Sequence, residues 1–317
     1  MYTAKKLMFL YAVTPVHMGA GTALGVIDNP IQREVHTGHP VFAGSGIKGA
    51  LRDMARASGW DKAKIKRRFG PGDDTKENGE GANASDHAGA TSFADAQLVA
   101  FPVRSLREGY VYATSPGALA RLGRLAVMAG VKDFPADDFP APSDTQAVVL
   151  ADNLLAEKRL ILESYSFEHL ADNGALKKVA GWLAANALPK DGGHRFFSGK
   201  LANHLVLLSD TQLSFFVRNS TAVEPHVRID DASGTADDGG LFFTENLPPE
   251  SLMVSLAMAS EERRKKGDGG DGKEAADAIL KSVTDTFGGQ PVQIGGDATT
   301  GRGQVIVSFA GGDDANA

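Results

Sequence analysis

The two ends of the chain carry the same three pieces in opposite order, and that symmetry limits what the chain can fold into. Near the N-terminus the run "KLMFLYAVTPV" (6–16) is rich in β-branched, aromatic and aliphatic residues and ends near Pro15, which reads as a buried strand. A glycine-rich stretch follows, and then from Ser45 a helix in which Ile47, Leu51 and Met54 share one face and Lys48, Arg52 and Arg56 another. Near the C-terminus the order is reversed. "EAADAILKSVTDTF" (274–287) is a helix with Ala276, Ile279, Leu280, Val283 and Phe287 on one face, stopped by Gly288. The glycine-rich "QIGGDATTGRGQV" and a last strand, "QVIVSF", follow it. With about 200 mixed residues between, this is the order of a split βαββαβ sheet whose halves are separated by insertions. A doubly wound sheet needs repeated strand-helix alternation, which the middle of the chain lacks. The expected class is α+β.

The 317 residues suffice for a substantial core, as one large domain with insertions or as two smaller ones. The chain contains no cysteine, which excludes disulfides, thiolate zinc sites and a cysteine nucleophile, and fits a reducing, cytoplasmic compartment. Lys5 and Lys6 before "LMFLYAV" imitate a signal peptide, but no small-residue cleavage site follows, and no stretch is long enough to span a bilayer. We therefore expect no membrane partner.

The net charge of −6 argues against a polyanionic partner until its distribution is considered. Residues 1–70 hold eleven Lys or Arg and four acids (Asp28, Glu34, Asp53, Asp61), a local balance of +7 that leaves −13 for the rest. A basic region on an acidic chain is either the footprint of a polyanion site or a solvated basic face. Between the ends, "HMGAGTALGVIDNPIQREV" (17–35) reads as a long loop or broken hairpin that becomes strand-like from Ile31. Residues 70–90 read as a mobile loop, and 261–274, "EERRKKGDGGDGKE", as a second low-complexity stretch.

"GSGIKG" supplies a literal G-x-G-x-x-G at Gly44, Gly46 and Gly49. A dinucleotide fold also needs a second strand ending in an acid about 20 residues on. Here the continuation "WDKAKIKRRFGPGDD" is basic and then loop-like, so that reading fails. What remains is an anion-binding geometry of close backbone, helix N-terminus and Lys48, open to any phosphate. Gly295, Gly296, Gly301 and Gly303, with Arg302 between the last two, form either a tight hairpin turn or the other side of a shared anion groove.

"IDNPIQRE" (27–34), "GHPVFAGSGIKGALRD" (38–53), "FADAQLVAFPVRS" (93–105), "HVRIDDASGTADDGGLFFTENLPPESL" (226–252) and "IGGDATTGRGQ" (294–304) run in order over nearly the whole chain. Together they resemble the RAMP superfamily, in particular the repeating backbone subunit of the type III-B (Cmr) CRISPR effector. The resemblance implies an RRM-like, ferredoxin-like βαββαβ palm with a large inserted helical finger region and a β-hairpin thumb. Its palm halves would be 1–60 and 261–317, its inserted region 61–200, and a palm strand with the thumb 201–260, the hairpin itself at about 218–243.

It further implies partners: a crRNA guide, single-stranded target RNA, copies of the same chain stacked in a filament, and other effector subunits. Target RNA would be cut at regular intervals with Asp28 as the catalytic residue and a divalent metal, Mg2+ or Mn2+, held in part by Asp28. His17 matches a family histidine suited to phosphate contact or proton transfer, and Glu245 an acidic position near the thumb base. A structural histidine and a solvated strand-end carboxylate are the competing readings. Asn246 stands where many relatives carry tyrosine. For guide binding the candidates are Arg33, Ser45, Lys48, Arg52, Arg56, Arg302, Gly295, Gly301 and Gly303. For Arg33 a salt bridge to Glu34 or Asp28 competes with RNA contact. A non-catalytic guide-binding scaffold and a guide-processing endoribonuclease of the same superfamily remain alternatives.

Overall fold

The computed structural model describes residues 1–23, 25–71, 88–135, 138–190, 192–263 and 273–311. The residues 72–87 of the expected mobile loop, and 264–272 of the second low-complexity stretch, lie outside the described residues. The fold is mixed α+β. Its organising element is the first strand, Ala4–Ala12. It pairs antiparallel along one edge with Leu252–Ala259 and along the other with Gln304–Ala310, Leu7 sitting opposite both Leu256 and Ala310. Ala96–Arg104 continues the sheet beyond Leu252–Ala259, again antiparallel.

The strand reads as one continuous apolar run because both of its faces are covered. Met8, Leu10 and Ala12 belong to one core, with Ile47, Leu51 and Ala55 of the helix Gly44–Ala57 and Ile279, Leu280, Val283 and Phe287 of the helix Ala276–Phe287. Leu7, Phe9 and Tyr11 belong to the other, with Leu119, Leu122 and Ala126 of Pro116–Met128 and Leu176, Val179 and Leu183 of Ala175–Asn186. Each large side chain of this strand removed from water contributes about 1.5–3 kcal/mol.

The segment expected to be a helical insert holds strands as well as helices. After Ala96–Arg104 the chain adds Tyr110–Thr114, Gln146–Val149, Arg159–Leu162, Tyr165–Leu170 and Leu205–Leu207 to the same sheet. Short β-rich runs such as "QAVV" and "RLIL" pair wherever a sheet edge is available, and the helices between them cover one face. A separate two-stranded hairpin, Ala222–Ile229 with Ala236–Asn246, projects from the sheet, and Arg218 belongs to the preceding helix, Asp210–Asn219. The stretch from Ile31 forms isolated bridges rather than a strand. No helix among the described residues is long and apolar enough to cross a membrane.

A chain of polar groups is buried where the first strand meets the insertion. The Tyr11 hydroxyl lies 2.6 Å from that of Tyr112 and donates to Glu250. Lys200 Nζ donates to the Glu108 carbonyl at 3.0 Å. Burial pushes the Glu250 carboxyl above the usual carboxylate range and the Lys200 ammonium below its own. For Glu250 the folded state binds the proton more tightly than the unfolded chain. Its contribution is therefore complete in acid and is lost as pH rises through the folded-state value. Glu250→Gln keeps an acceptor for Tyr11 without the charge. Between about pH 4 and about pH 7 its melting temperature should fall less than that of the unaltered protein, by on the order of 2 °C in thermal melts.

Candidate active site and nucleic-acid interface

The sheet topology decides where the site lies. Because both neighbours of the first strand run antiparallel to it, each begins beside its C-terminal end: Tyr11 pairs with Leu252 and Ala12 with Val305. Three segments therefore meet there: the loop leaving Ala12, the glycine-rich turn leading into Gln304, and the hairpin foot leading into Leu252. Their backbones are bonded together. Val16 and Leu247 exchange hydrogen bonds of 2.9 Å, Gly303 N–H donates to the Pro15 carbonyl at 2.8 Å, and Gly296 N–H to the His17 carbonyl at 2.8 Å.

The glycines of this turn are of two kinds. Gly295 and Gly303 have φ of +86° and +81°, and a Cβ would collide with the His17 carbonyl at the first and the Ile294 carbonyl at the second. Gly301 has φ of +82° but open space around it. The first two are required by packing against the His17 segment and within the turn, and Gly301 by backbone conformation alone.

The loop carrying Asp28 is laid along the free edge of the hairpin. Asn29 N–H donates to the Phe243 carbonyl and Glu245 N–H to the Asn29 carbonyl, each at 3.0 Å. The next edge amide, Phe243 N–H, donates to Asp28 Oδ2 at 2.7 Å. The carboxylate thus completes an edge that would otherwise present an unpaired donor. Asp28 is half-buried, and among the described residues its other oxygen accepts no hydrogen bond. His17 Nδ1 donates to the Glu245 carbonyl at 2.7 Å, an acceptor that fixes the proton on Nδ1 and leaves Nε2 as the acceptor of the neutral ring.

Glu245 and Arg33 are placed differently from expectation. Glu245 is 3% exposed rather than solvated, and its carboxylate accepts from Ile31 N–H at 3.0 Å, from the Thr221 hydroxyl at 2.8 Å and from Arg33. Arg33 pairs with neither Glu34 nor Asp28; its other donor reaches the carbonyls of Gly38 at 2.8 Å and Val217 at 3.1 Å. Glu34 instead takes a two-pronged bond from Arg121. Sequence spacing favours near neighbours such as Glu34, whereas the fold brings Glu245 in from the foot of the hairpin, 212 residues along the chain.

On the helix Gly44–Ala57 the expected phosphate cradle is partly filled by the protein itself. Gly44 N–H donates to Asp95 Oδ1 at 2.7 Å, and a Cβ on Gly44 would collide with the Phe93 carbonyl, so this glycine is a packed strand-to-helix corner. Ser45 and Gly49 are exposed on the same helix. Lys48 is half-buried, and burial, then the neighbouring Arg52 and Arg263, lower its ammonium pKa. Arg263, which stacks over the Tyr2 ring at 5.2 Å, was hidden in a low-complexity stretch, and only the fold adds it to the basic helix. Arg56 pairs with Asp53 at 2.5 Å, and Arg302 with Glu224 on the first strand of the hairpin. Asp28, His17, Glu245, Arg33 and the glycine turn are thus brought together, while Ser45, Lys48, Arg52 and Arg56 line a separate helix.

No three His, Asp or Glu residues among those described converge as metal ligands. With one carboxylate oxygen of Asp28 already held by Phe243, the residues present do not by themselves fit a divalent cation.

The fold and site define an α+β protein that holds a carboxylate and a histidine at the end of its central strand, between a glycine turn and a projecting hairpin. The RAMP superfamily model matches residues 9–306, and the chain belongs to that superfamily. It is 34% identical over 305 residues, 96% of this chain and 95% of the relative, to the "CRISPR system Cmr endoribonuclease Cmr4" of Pyrococcus furiosus. The structure of oligomeric Cmr4 from Pyrococcus furiosus superposes with a TM-score of 0.71 at 29% identity, covering 96% of this chain and 97% of that one. A chain of the type III-B Cmr-beta complex bound to cognate target RNA shares the fold with a TM-score of 0.68, at 20% identity and coverage of 97% and 98%.

Replacing the turn glycines should separate their roles. Gly301→Ala should cost about 1–2 kcal/mol, the strain of a left-handed residue. Gly295→Ala and Gly303→Ala, which add a backbone collision, should lower the melting temperature markedly more, as differential scanning calorimetry would show.

Proposed function

We propose that this chain is the repeating backbone subunit of a type III-B CRISPR effector, which binds the guide RNA and cuts complementary target RNA. The observation that carries this reading is the end-to-end match to a relative named as an endoribonuclease, with Asp28 held at the hairpin foot. Copies of the chain and other effector subunits are its protein partners, in keeping with the oligomeric neighbour structure. The four central strands, in the order Gln304–Ala310, Ala4–Ala12, Leu252–Ala259, Ala96–Arg104, serve as an RRM-like palm. The hairpin Ala222–Asn246 serves as its thumb and the sheet-extending insertion as its finger.

Cleavage requires the target's 2′-oxygen, the phosphorus and the leaving 5′-oxygen to lie in line, which a splayed nucleotide supplies. Asp28 accepts the proton of the attacking 2′-hydroxyl through the oxygen not held by Phe243. His17 enters this step as the imidazolium, its Nδ1–H kept on the Glu245 carbonyl, and gives the Nε2 proton to the leaving oxygen. The bond from phosphorus to the 2′-oxygen forms as that to the 5′-oxygen breaks, giving a cyclic phosphate and a 5′-hydroxyl. A divalent metal has no protein-built site here, and no step is assigned to it. If one takes part, RNA phosphates and water complete its shell, so the chain alone should show no saturable Mn2+ binding at micromolar concentration by electron paramagnetic resonance.

Asp28→Ala should abolish target cutting in the reconstituted complex on a denaturing gel while leaving assembly and target binding intact; unchanged cutting would reduce the chain to a scaffold. Guide binding is tested separately. Contacts go to the RNA backbone, so affinity should not depend on guide sequence. Lys48→Ala and Arg52→Ala should each lower the slope of log affinity against log salt by roughly 0.7–0.9.

A further inference from the structure

We propose that Glu245 and Arg33 are positioning residues, an ion pair between a buried carboxylate and a partly exposed guanidinium that locks the Asp28 segment to both strands of the hairpin foot, and that Glu245 takes no part in proton transfer. The proposal rests on the reading of Asp28 as the catalytic carboxylate.

The polar groups of Glu245 are spent on different pieces of the site. Its amide bonds the Asn29 carbonyl and its carbonyl accepts from His17. One carboxylate oxygen takes Ile31 N–H, and the other takes Thr221 and Arg33. A general acid or base must come within hydrogen-bond reach of the proton it moves. With its side chain 4% exposed and three of its roughly four acceptor sites taken by protein donors, this carboxylate has no access to an RNA proton.

What the geometry does provide is a clamp. Asp28 lies between the bridge at Asn29 and its own bond to Phe243 N–H, and Ile31 is pinned to the Glu245 carboxylate. Thr221 immediately precedes the first strand of the hairpin, and Glu245 lies in the last pair but one at its foot, opposite Val223. The Arg33 guanidinium adds Val217, on the helix entering the hairpin, and Gly38, at the far side of the Asp28 loop. The hairpin, the loop and the entering helix are therefore fastened through one ion pair. If the hairpin's seat shifts, the carboxylate that completes its edge must shift with it.

The test uses the reconstituted effector with guide RNA and target. Glu245→Gln keeps the side-chain shape but replaces one charged acceptor with a neutral donor. It should lower kcat for target cleavage about tenfold with KM within about twofold of the unaltered complex, the size of a lost orienting contact rather than of a lost reacting group. The pH–rate profile should keep both limbs at a lower plateau. Arg33→Lys, which retains charge but loses the fork to Gly38 and Val217, should be affected less than Arg33→Met. Combining Arg33→Met with Glu245→Gln should be no worse than the more damaging single change, since both break the same clamp.

Loss of a limb of the profile in Glu245→Gln would make Glu245 a proton-transfer group and overturn the proposal, as would an unchanged kcat in both Glu245→Gln and Arg33→Met. Should Glu245→Gln fail to assemble, Thr221→Val, which removes one of the three donors and leaves the ion pair, carries the test. It should lower kcat two- to threefold at unchanged KM, and an unchanged kcat would overturn the clamp. Asp28→Ala, run alongside, separates the two readings. If that variant cuts normally, the catalytic assignment fails and the clamp with it; if it is inactive while the pair variants cut normally, only the clamp fails.

Discussion

Burial of the first strand on both faces is the constraint from which the rest of the molecule follows. A strand buried this deeply leaves its backbone N–H and C=O groups no water to bond, and Ala4–Ala12 accordingly has a partner along both of its edges. The partners come from the last third of the chain. Antiparallel pairing then forces both of them to start where the first strand ends. The loop with His17 and Asp28, the glycine turn and the hairpin foot meet there because of that pairing. The site is thus a by-product of strand order, and its precision depends on the core that holds Leu7, Phe9 and Tyr11 on one side and Met8 and Leu10 on the other.

The second layer of organisation is the satisfaction of a sheet edge. The hairpin's outer strand exposes a row of backbone groups, and the loop of Asp28 answers them with one backbone bridge and one carboxylate. Using a side chain to finish an edge ties that carboxylate to main-chain geometry, which is stiffer than a rotamer held only by packing. The same economy appears at the helix Gly44–Ala57, where Asp95 occupies the amide of Gly44. A phosphate approaching that helix start meets a carboxylate at Gly44, so attraction there must come mainly from Lys48 and the arginines beside it.

How much of this was legible in the sequence depends on the range of each interaction. The first strand, the faces of both terminal helices and the glycine turn were legible because periodicity and turn chemistry are local. The motifs also brought Asp28 and His17 forward. Arg33 with Glu245, Gly44 with Asp95 and Arg302 with Glu224 were not legible, since their partners lie 212, 51 and 78 residues apart. Spacing along the chain points instead to neighbours such as Glu34, and Glu34 is taken by Arg121 on a helix of the insertion. The strands of the insertion were missed for a related reason: runs of three to six residues carry little periodicity, and the existing sheet edge decides their state.

Charge distribution shows how the same long-range pairs alter the basic footprint of the N-terminal region. Counting residues gives that region a balance of +7, yet much of it is answered within the fold. Arg33 is committed to Glu245, Arg67 to Glu262 and Arg68 to Glu274, all three acids from outside the region. Arg302 joins the glycine turn to the hairpin through Glu224, so a phosphate reaching it must displace a carboxylate at the hairpin's first strand. An RNA backbone bound between the turn and the hairpin, as proposed, would exchange an internal ion pair for an external one. The net gain would be smaller than the formal charge implies, and the hairpin would lose a tie to the turn. The tie between Glu245 and Arg33 lies one residue pair along the same hairpin and does not involve Arg302, so it would still hold the foot of the hairpin in place.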